Sequence, residues 1–279
     1  MEQTESVPSV LESGATGEIA EIYSDIRSTL GTSVVNLIWR NLATMPGALE
    51  WTWSTVRPLY LGPAARHAEA VRRALHMPKV PRLSANTLSA AGIDRNALDV
   101  IRTMLDGYHH TNALALVVLS ALLERYEPSV TAAAGPSETS PLSVQTELPA
   151  LPAMATLPAE VQRLVGELNE FGEDGAPYLI ASMYRHLAYW PSYLAIIRTL
   201  LAPLQADGSL IALTRSARAL GRAHGKTLAL QLEPARPPPA LQDALGSCRL
   251  FVEHPIARMT GICAVVRDAT PEQARADGS

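Results

Sequence analysis

Two stretches of this chain are written in nearly the same residues. Arg40-Asn-Leu-Ala-Thr-Met-Pro46 and Arg185-His-Leu-Ala-Tyr-Trp-Pro191 match at an offset of 145 in Arg, Leu, Ala and Pro. The match continues with Leu49 and Leu194, Pro58 and Pro203, and Leu59 and Leu204. Self-similarity on this scale means that one structural unit occurs twice. Upstream, at an offset of 142, Ile19, Ile22, Tyr23 and Ile26 correspond to Val161, Leu164, Val165 and Leu168. Both sets run i, i+3, i+4, i+7, one face of an amphipathic helix. The change of offset puts about three extra residues into the second copy, near Gly172 to Gly175.

The helices follow from caps and breakers. Glu18 to Leu30 reads as a helix, with Thr16 near its start and Gly31 past its end. Val34 to Met45 reads as a second. Pro46 then opens a third that ends near Pro58. Pro63 to His76 is a fourth, broken by Pro78 and Pro81. Ala85 to Ala91 is short. Asp94 or Asn96 caps a helical region running to Tyr126. The second copy retraces this order: a helix from Thr156 or Pro158, then Tyr178 to Tyr189, Pro191 to Gln205 and Ser209 to Leu232. Pro237 to Pro239 break the chain, and Ala240 to Arg267 form a last helical pair. No sustained alternating pattern marks a strand.

The expected fold class is therefore all-α, with two pseudo-symmetric helical repeats packed on each other and joined by a long linker. The boundaries are 1–126 for the first repeat, 127–156 for a Pro/Ser/Ala-rich linker, 157–270 for the second repeat and 271–279 for a flexible tail. Each half has apolar stripes wider than one neighbour can cover. The halves should pack on one another, with a pocket at the seam.

Composition excludes several classes. A net charge of −4 with no basic block argues against nucleic acid as partner. The most apolar run, Ala113 to Leu123, falls short of the ~20 residues that span a bilayer, so no membrane is expected. Met1 to Gly17 lacks the charged and apolar regions of a secretion signal. Cys248 and Cys263 lie in apolar helical sequence and read as reduced thiols, which points to a cytoplasmic protein. There is no glycine-rich phosphate loop, no Gly-x-Ser-x-Gly elbow, no Cys-x-x-Cys and no His-x-x-x-His. No cofactor and no metal are expected.

Some residues draw attention without deciding a function. His109 and His110 are adjacent, so on a helix they point about 100° apart and cannot easily share a site. Asn112 is an amide at the edge of an apolar run, where it needs partners, as a helix-packing bond or as a ligand contact. Arg40 and Arg185 hold the same place in both copies, as architecture or as a carboxylate clamp. Trp39, Trp51, Trp53 and Trp190 read as core.

Taken together, Ile22-Tyr-Ser-Asp-Ile-Arg-Ser-Thr-Leu30, Arg40 to Pro46, Asn112 before its aliphatic run, and Ala181-Ser-x-aromatic leading to Leu-Ala-x-Trp-Pro191 resemble the DehI-type, group I 2-haloacid dehalogenases. The resemblance covers nearly the whole chain. It implies an all-α duplication, a homodimer, and an active site between the halves. It also implies cofactor-free hydrolysis of 2-haloalkanoic acids, in which an aspartate activates a water that displaces halide with inversion. By position, the water-holding asparagine falls on Asn112 and the serine before the aspartate on Ser182. The aspartate falls on Met183, and two aromatic pocket residues fall on Val34 and Leu37. A thioether has no useful basicity, so Met183 cannot serve as that base. His186, one helical turn on, is the candidate substitute base. Glu173 and Asp174 in the inserted loop are further candidates. Two readings stand: a hydrolase acting on a small carboxylic acid, halogenated or not, in the inter-repeat pocket, or a non-catalytic acid-binding or structural protein that keeps the fold.

Overall fold

The computed structural model describes residues 7–126, 148–175, 179–233 and 236–272. Among them the chain is all-α, with twelve α-helices and no sheet. The expected linker falls largely on 127–147 and the tail on 273–279, both outside the described residues.

The helices are α1 (Gly17–Leu30), α2 (Leu37–Leu42), α3 (Ala48–Leu61), α4 (Ala64–Ala74), α5 (Ala85–Ala90) and α6 (Arg95–Tyr126). They continue with α7 (Ala159–Glu170), α8 (Ser182–Leu187), α9 (Pro191–Ala206), α10 (Ser209–Ala229), α11 (Leu241–Phe251) and α12 (Ala257–Ala269). The run α7 to α10 follows the order of α1 to α4. Both α2 and α8 are six residues long with arginine in fourth place. Both α3 and α9 carry a proline three residues before their last residue.

Two helices are shorter than their sequence pattern predicts, for the same kind of reason. The pattern gives 34–45, but α2 starts only at Leu37. The Val34 N–H goes to the Thr32 hydroxyl at 3.4 Å, and the Val35 N–H goes to the Glu12 carboxylate at 2.8 Å. Side chains thus hold this backbone extended. The pattern gives 178–189, but α8 starts at Ser182. There the Asn169 amide takes the Ala181 N–H at 2.9 Å and donates to the Leu179 carbonyl at 3.2 Å.

Proline placement also differs from expectation. Gly47 takes φ 70°, a left-handed turn that a side chain would strain, so α3 begins at Ala48 and not at Pro46. The helix then runs through Pro58 to Leu61, at the cost of the helical hydrogen bond that an N–H at position 58 would give the Ser54 carbonyl. Between α11 and α12 the expected helical pair is interrupted by a π-helical turn, Val252–Ile256, around Pro255.

The core is built around α6. From Thr111 to Leu122 every residue is buried. A helix apolar all round must be enclosed, and α10 and α12 supply most of its cover. This is why the run Ala113 to Leu123 is so apolar in a chain with no single helix, among the described residues, long and apolar enough to cross a membrane. The α6–α10 crossing is close. A Cβ on Gly225 would sit 2.6 Å from the Ser120 Cβ and 2.8 Å from the Ser120 backbone carbon. Helices from both ends of the chain therefore share one apolar core. Cys248 and Cys263 are free thiols within it.

Candidate functional site

A small cavity of about 50 Å³ opens where the N-terminal and C-terminal helices meet. Tyr108 and Asn112, one turn apart on α6, form its floor. Leu37 and Ile38 come from α2, and Ser182 and Met183 from the start of α8. Phe251, Pro255, Ile256 and Met259 close it. The π-turn matters here: it widens the helix path at Pro255 and turns Pro255 and Ile256 toward the cavity. None of the lining residues is Asp, Glu, His, Lys or Arg.

The α8 side of the cavity is held from behind. Asn169 ties down 179–181, as described above, and is itself gripped by Arg258. The Arg258 guanidinium donates to Asn169 Oδ1 at 2.8 Å, to the Asn169 carbonyl, and to Glu173 at 3.2 Å. Arg258 is fully buried, so this charge is tolerable only because it is paired and hydrogen-bonded. The same Glu173 carboxylate accepts from His254 at 2.9 Å and faces Arg218 at 3.6 Å. Asp174 pairs with Arg215 at 2.9 Å and Arg218 at 2.7 Å.

The polar atoms at the cavity are few. The Asn112 side-chain amide nitrogen is buried and has no hydrogen-bond partner within the described protein. Tyr108 Oη lies 2.6 Å from His186 Nδ1, and a Ser182 hydrogen bond reaches the same phenol. Burial pushes the Tyr108 phenol far above its ordinary value, with Arg185 and Arg40 opposing. Burial pushes the His186 imidazole down to about 4, and Arg185 and Arg40 push it the same way, while the Pro149 carbonyl opposes them. Both arginines are buried. Arg185 donates from Nε and from a terminal nitrogen to the Pro152 carbonyl, at 3.0 and 2.8 Å. It therefore anchors the segment before α7 and also sets a positive field behind the cavity.

No family model matches the chain. It is 29% identical over 230 residues to a configuration-inverting 2-haloacid dehalogenase of Alcaligenes xylosoxydans xylosoxydans, covering 77% of this chain and 76% of the relative. It is 27% identical over 232 residues to the configuration-inverting 2-haloacid dehalogenase of Pseudomonas sp. (strain 113), covering 78% and 74%. Its fold matches a solved D-2-haloacid dehalogenase mutant with TM-score 0.77 at 20% identity, over 94% and 96% of the two chains. A D-2-haloacid dehalogenase in complex with L-LA matches with TM-score 0.72 at 19% identity, over the same shares. This chain is a homologue of the configuration-inverting 2-haloacid dehalogenases.

In this dehalogenase homologue the residues singled out by sequence divide into two groups. Asn112, Ser182, Met183 and Leu37 meet at the cavity. Val34 does not. Its N–H is bound to Thr32, and Asn36 and Ile38 flank Leu37 on the wall instead. His186 is fully buried but is not a lining residue, because Tyr108 meets the cavity and His186 stands against it. Glu173 and Asp174 are spent on arginines. His109 and His110 lie elsewhere on α6, half-buried near Arg72. Trp39, Trp51 and Trp53 are core, Trp39 meeting Trp53 edge-on with ring centroids 5.3 Å apart. Tyr108 was not singled out, although its position four residues before Asn112 on a helix is the signal that places both on one face.

Proposed function

We propose that the cavity binds a small 2-halocarboxylic acid or a close analogue, and that hydrolysis by a carboxylate-activated water is lost or altered in this homologue. The observation that carries this reading is Asn112. It is 8% exposed, lines the cavity beside Ser182, and keeps an amide donor that no atom of the described residues satisfies. A buried donor left unmade costs roughly 1–3 kcal/mol, so such a group is kept for a guest that accepts from it. Arg40 and Arg185 add a positive field that favours an anion, and the apolar wall suits a short carbon chain with a halogen. The homologues' activity as 2-haloacid dehalogenases supports the class of acid. The base position implied by the resemblance is Met183, which is apolar and fully buried.

Titration of the chain with racemic 2-chloropropionate, followed by calorimetry, tests this. Saturable binding is expected, weakened about tenfold in Asn112→Ala by loss of about 1.4 kcal/mol of hydrogen bonding. An absence of binding to the parent chain, or equal binding to the variant, rejects the reading.

A further inference from the structure

We propose that Tyr108 and His186 act together as the proton acceptor of the cavity, so that this chain hydrolyses a 2-halocarboxylic acid without a carboxylate base. The proposal rests on the cavity being the acid-binding site argued above.

The geometry is that of a two-member relay. Tyr108 is the member that meets the cavity, and its hydroxyl is 2.6 Å from His186 Nδ1. With the ring proton on Nε2, Nδ1 is an acceptor and the phenol must donate to it. Nε2 is buried and has no partner of hydrogen-bond geometry among the described residues, and the Pro149 carbonyl favours a proton on the ring. The phenol oxygen then turns its lone pairs toward Ser182 and the cavity, where a water can donate to it. His186 is sealed from solvent, so a proton reaches Nδ1 only through Tyr108.

Water oxygen forms a bond to C2 as the C2–halogen bond breaks, and the halide leaves with that electron pair. The water gives its proton to Tyr108 Oη while the Tyr108 proton passes to His186 Nδ1. The product is a 2-hydroxy acid, and the imidazolium afterwards returns its proton to solvent by the reverse relay. No oxidant, metal or second substrate is needed.

The base is strong enough. The resemblance puts a carboxylate at position 183, an acceptor whose ordinary pKa is about 4. Burial holds the His186 imidazolium at about 4, so the buried imidazole matches an ordinary aspartate as a proton acceptor. The charged groups acting on it are Arg185, on its own helix, and Arg40, from α2. Both oppose imidazolium, which speeds the return of the proton after each turnover.

The experiment measures chloride release from racemic 2-chloropropionate, with calorimetric binding of the non-hydrolysable isostere 2-methylpropionate in parallel, for the parent chain, Tyr108→Phe and His186→Asn. The parent is expected to release chloride over many turnovers, with a rate that falls as pH drops toward 4. Each variant should lose about 10²-fold or more in kcat while its affinity stays within about threefold. Asparagine at 186 can still accept from Tyr108 but holds no proton, so the acid limb of the pH profile should vanish with it. Adding Met183→Asp to Tyr108→Phe should restore release, since a new carboxylate bypasses the relay. Binding without any chloride from the parent overturns the relay and leaves the binding site standing. Absence of both overturns the site itself. Undiminished kcat in Tyr108→Phe, or a double variant as inactive as Tyr108→Phe alone, also overturns the relay.

Discussion

Arg258 and Asn169 are locked together through one oxygen. Asn169 Oδ1 accepts from the Arg258 guanidinium at 2.8 Å and from the Ala181 N–H at 2.9 Å. The first bond restrains a buried charge. The second fixes the extended segment that delivers Ser182 and Met183 to the cavity.

Asn169→Ala should therefore cost both stability and binding. It strips a partner from a fully buried guanidinium and from a buried N–H, each loss worth roughly 1–3 kcal/mol or more. Denaturant unfolding should show a loss of about 3 kcal/mol, and calorimetry a weaker hold on 2-chloropropionate. A variant with parental stability would show that Arg258 finds another acceptor.

Met183→Asp places a carboxyl at a buried position on the cavity wall. Burial disfavours its charged form, so its folded pKa should lie above the ordinary value of about 4. Relative to the parent, the variant should lose stability as pH rises through that interval and be closest to it in acid. Chloride release should rise once the carboxylate ionises. Melting curves from pH 4 to 8, paired with a chloride assay, check both halves. Activity that is flat with pH would place the carboxylate away from the reacting water.

Acid should destabilise the parent through its buried imidazoles. His186, His109 and His67 are each held down to about 4 by burial, against about 6.5 in the unfolded chain. Between those values the unfolded chain binds more protons than the folded one. Stability is thus present above pH 6.5 and falls as pH drops toward 4. The melting temperature should decline over that range, and His186→Asn should flatten the slope. An unchanged slope would mean that His186 is already protonated in the fold.

Gly225→Ala should be among the more damaging single changes far from the cavity. The added Cβ would meet Ser120 backbone and Cβ atoms at under 3 Å, and backbone cannot swing aside. Alanine's better helix propensity, worth about 1 kcal/mol, should be outweighed by overpacking of about 1–3 kcal/mol. Thermal unfolding decides the sign. A more stable variant would show that α10 can lift off α6 cheaply.

Much of this architecture is legible in the chain itself. Ile19 to Ile26 and Val161 to Leu168 carry helical periodicity, and Gly31 stops α1 at a left-handed turn. Local sequence and resemblance put Asn112 and Ser182 in one expected site, and both line the cavity. The shortening of α2 and α8 could not be read locally. It depends on Glu12 and Asn169, which capture backbone N–H groups 23 and 12 residues away. The facing of His186 was missed for a related reason: a six-residue helix has too few turns to fix which side chains share a face, and Tyr108 comes from 78 residues earlier. The closing wall at Pro255 and Met259 depends on a π-turn, whose widening no periodicity encodes.

The two guanidiniums behind the cavity, Arg40 and Arg185, are only 5% and 4% exposed. Mobile ions cannot crowd around charges so enclosed, and the Debye screening that weakens surface attraction acts little on them. Affinity for an anionic guest should accordingly hold nearly constant from dilute buffer to brine, unlike that of a protein that catches its anions on surface lysines.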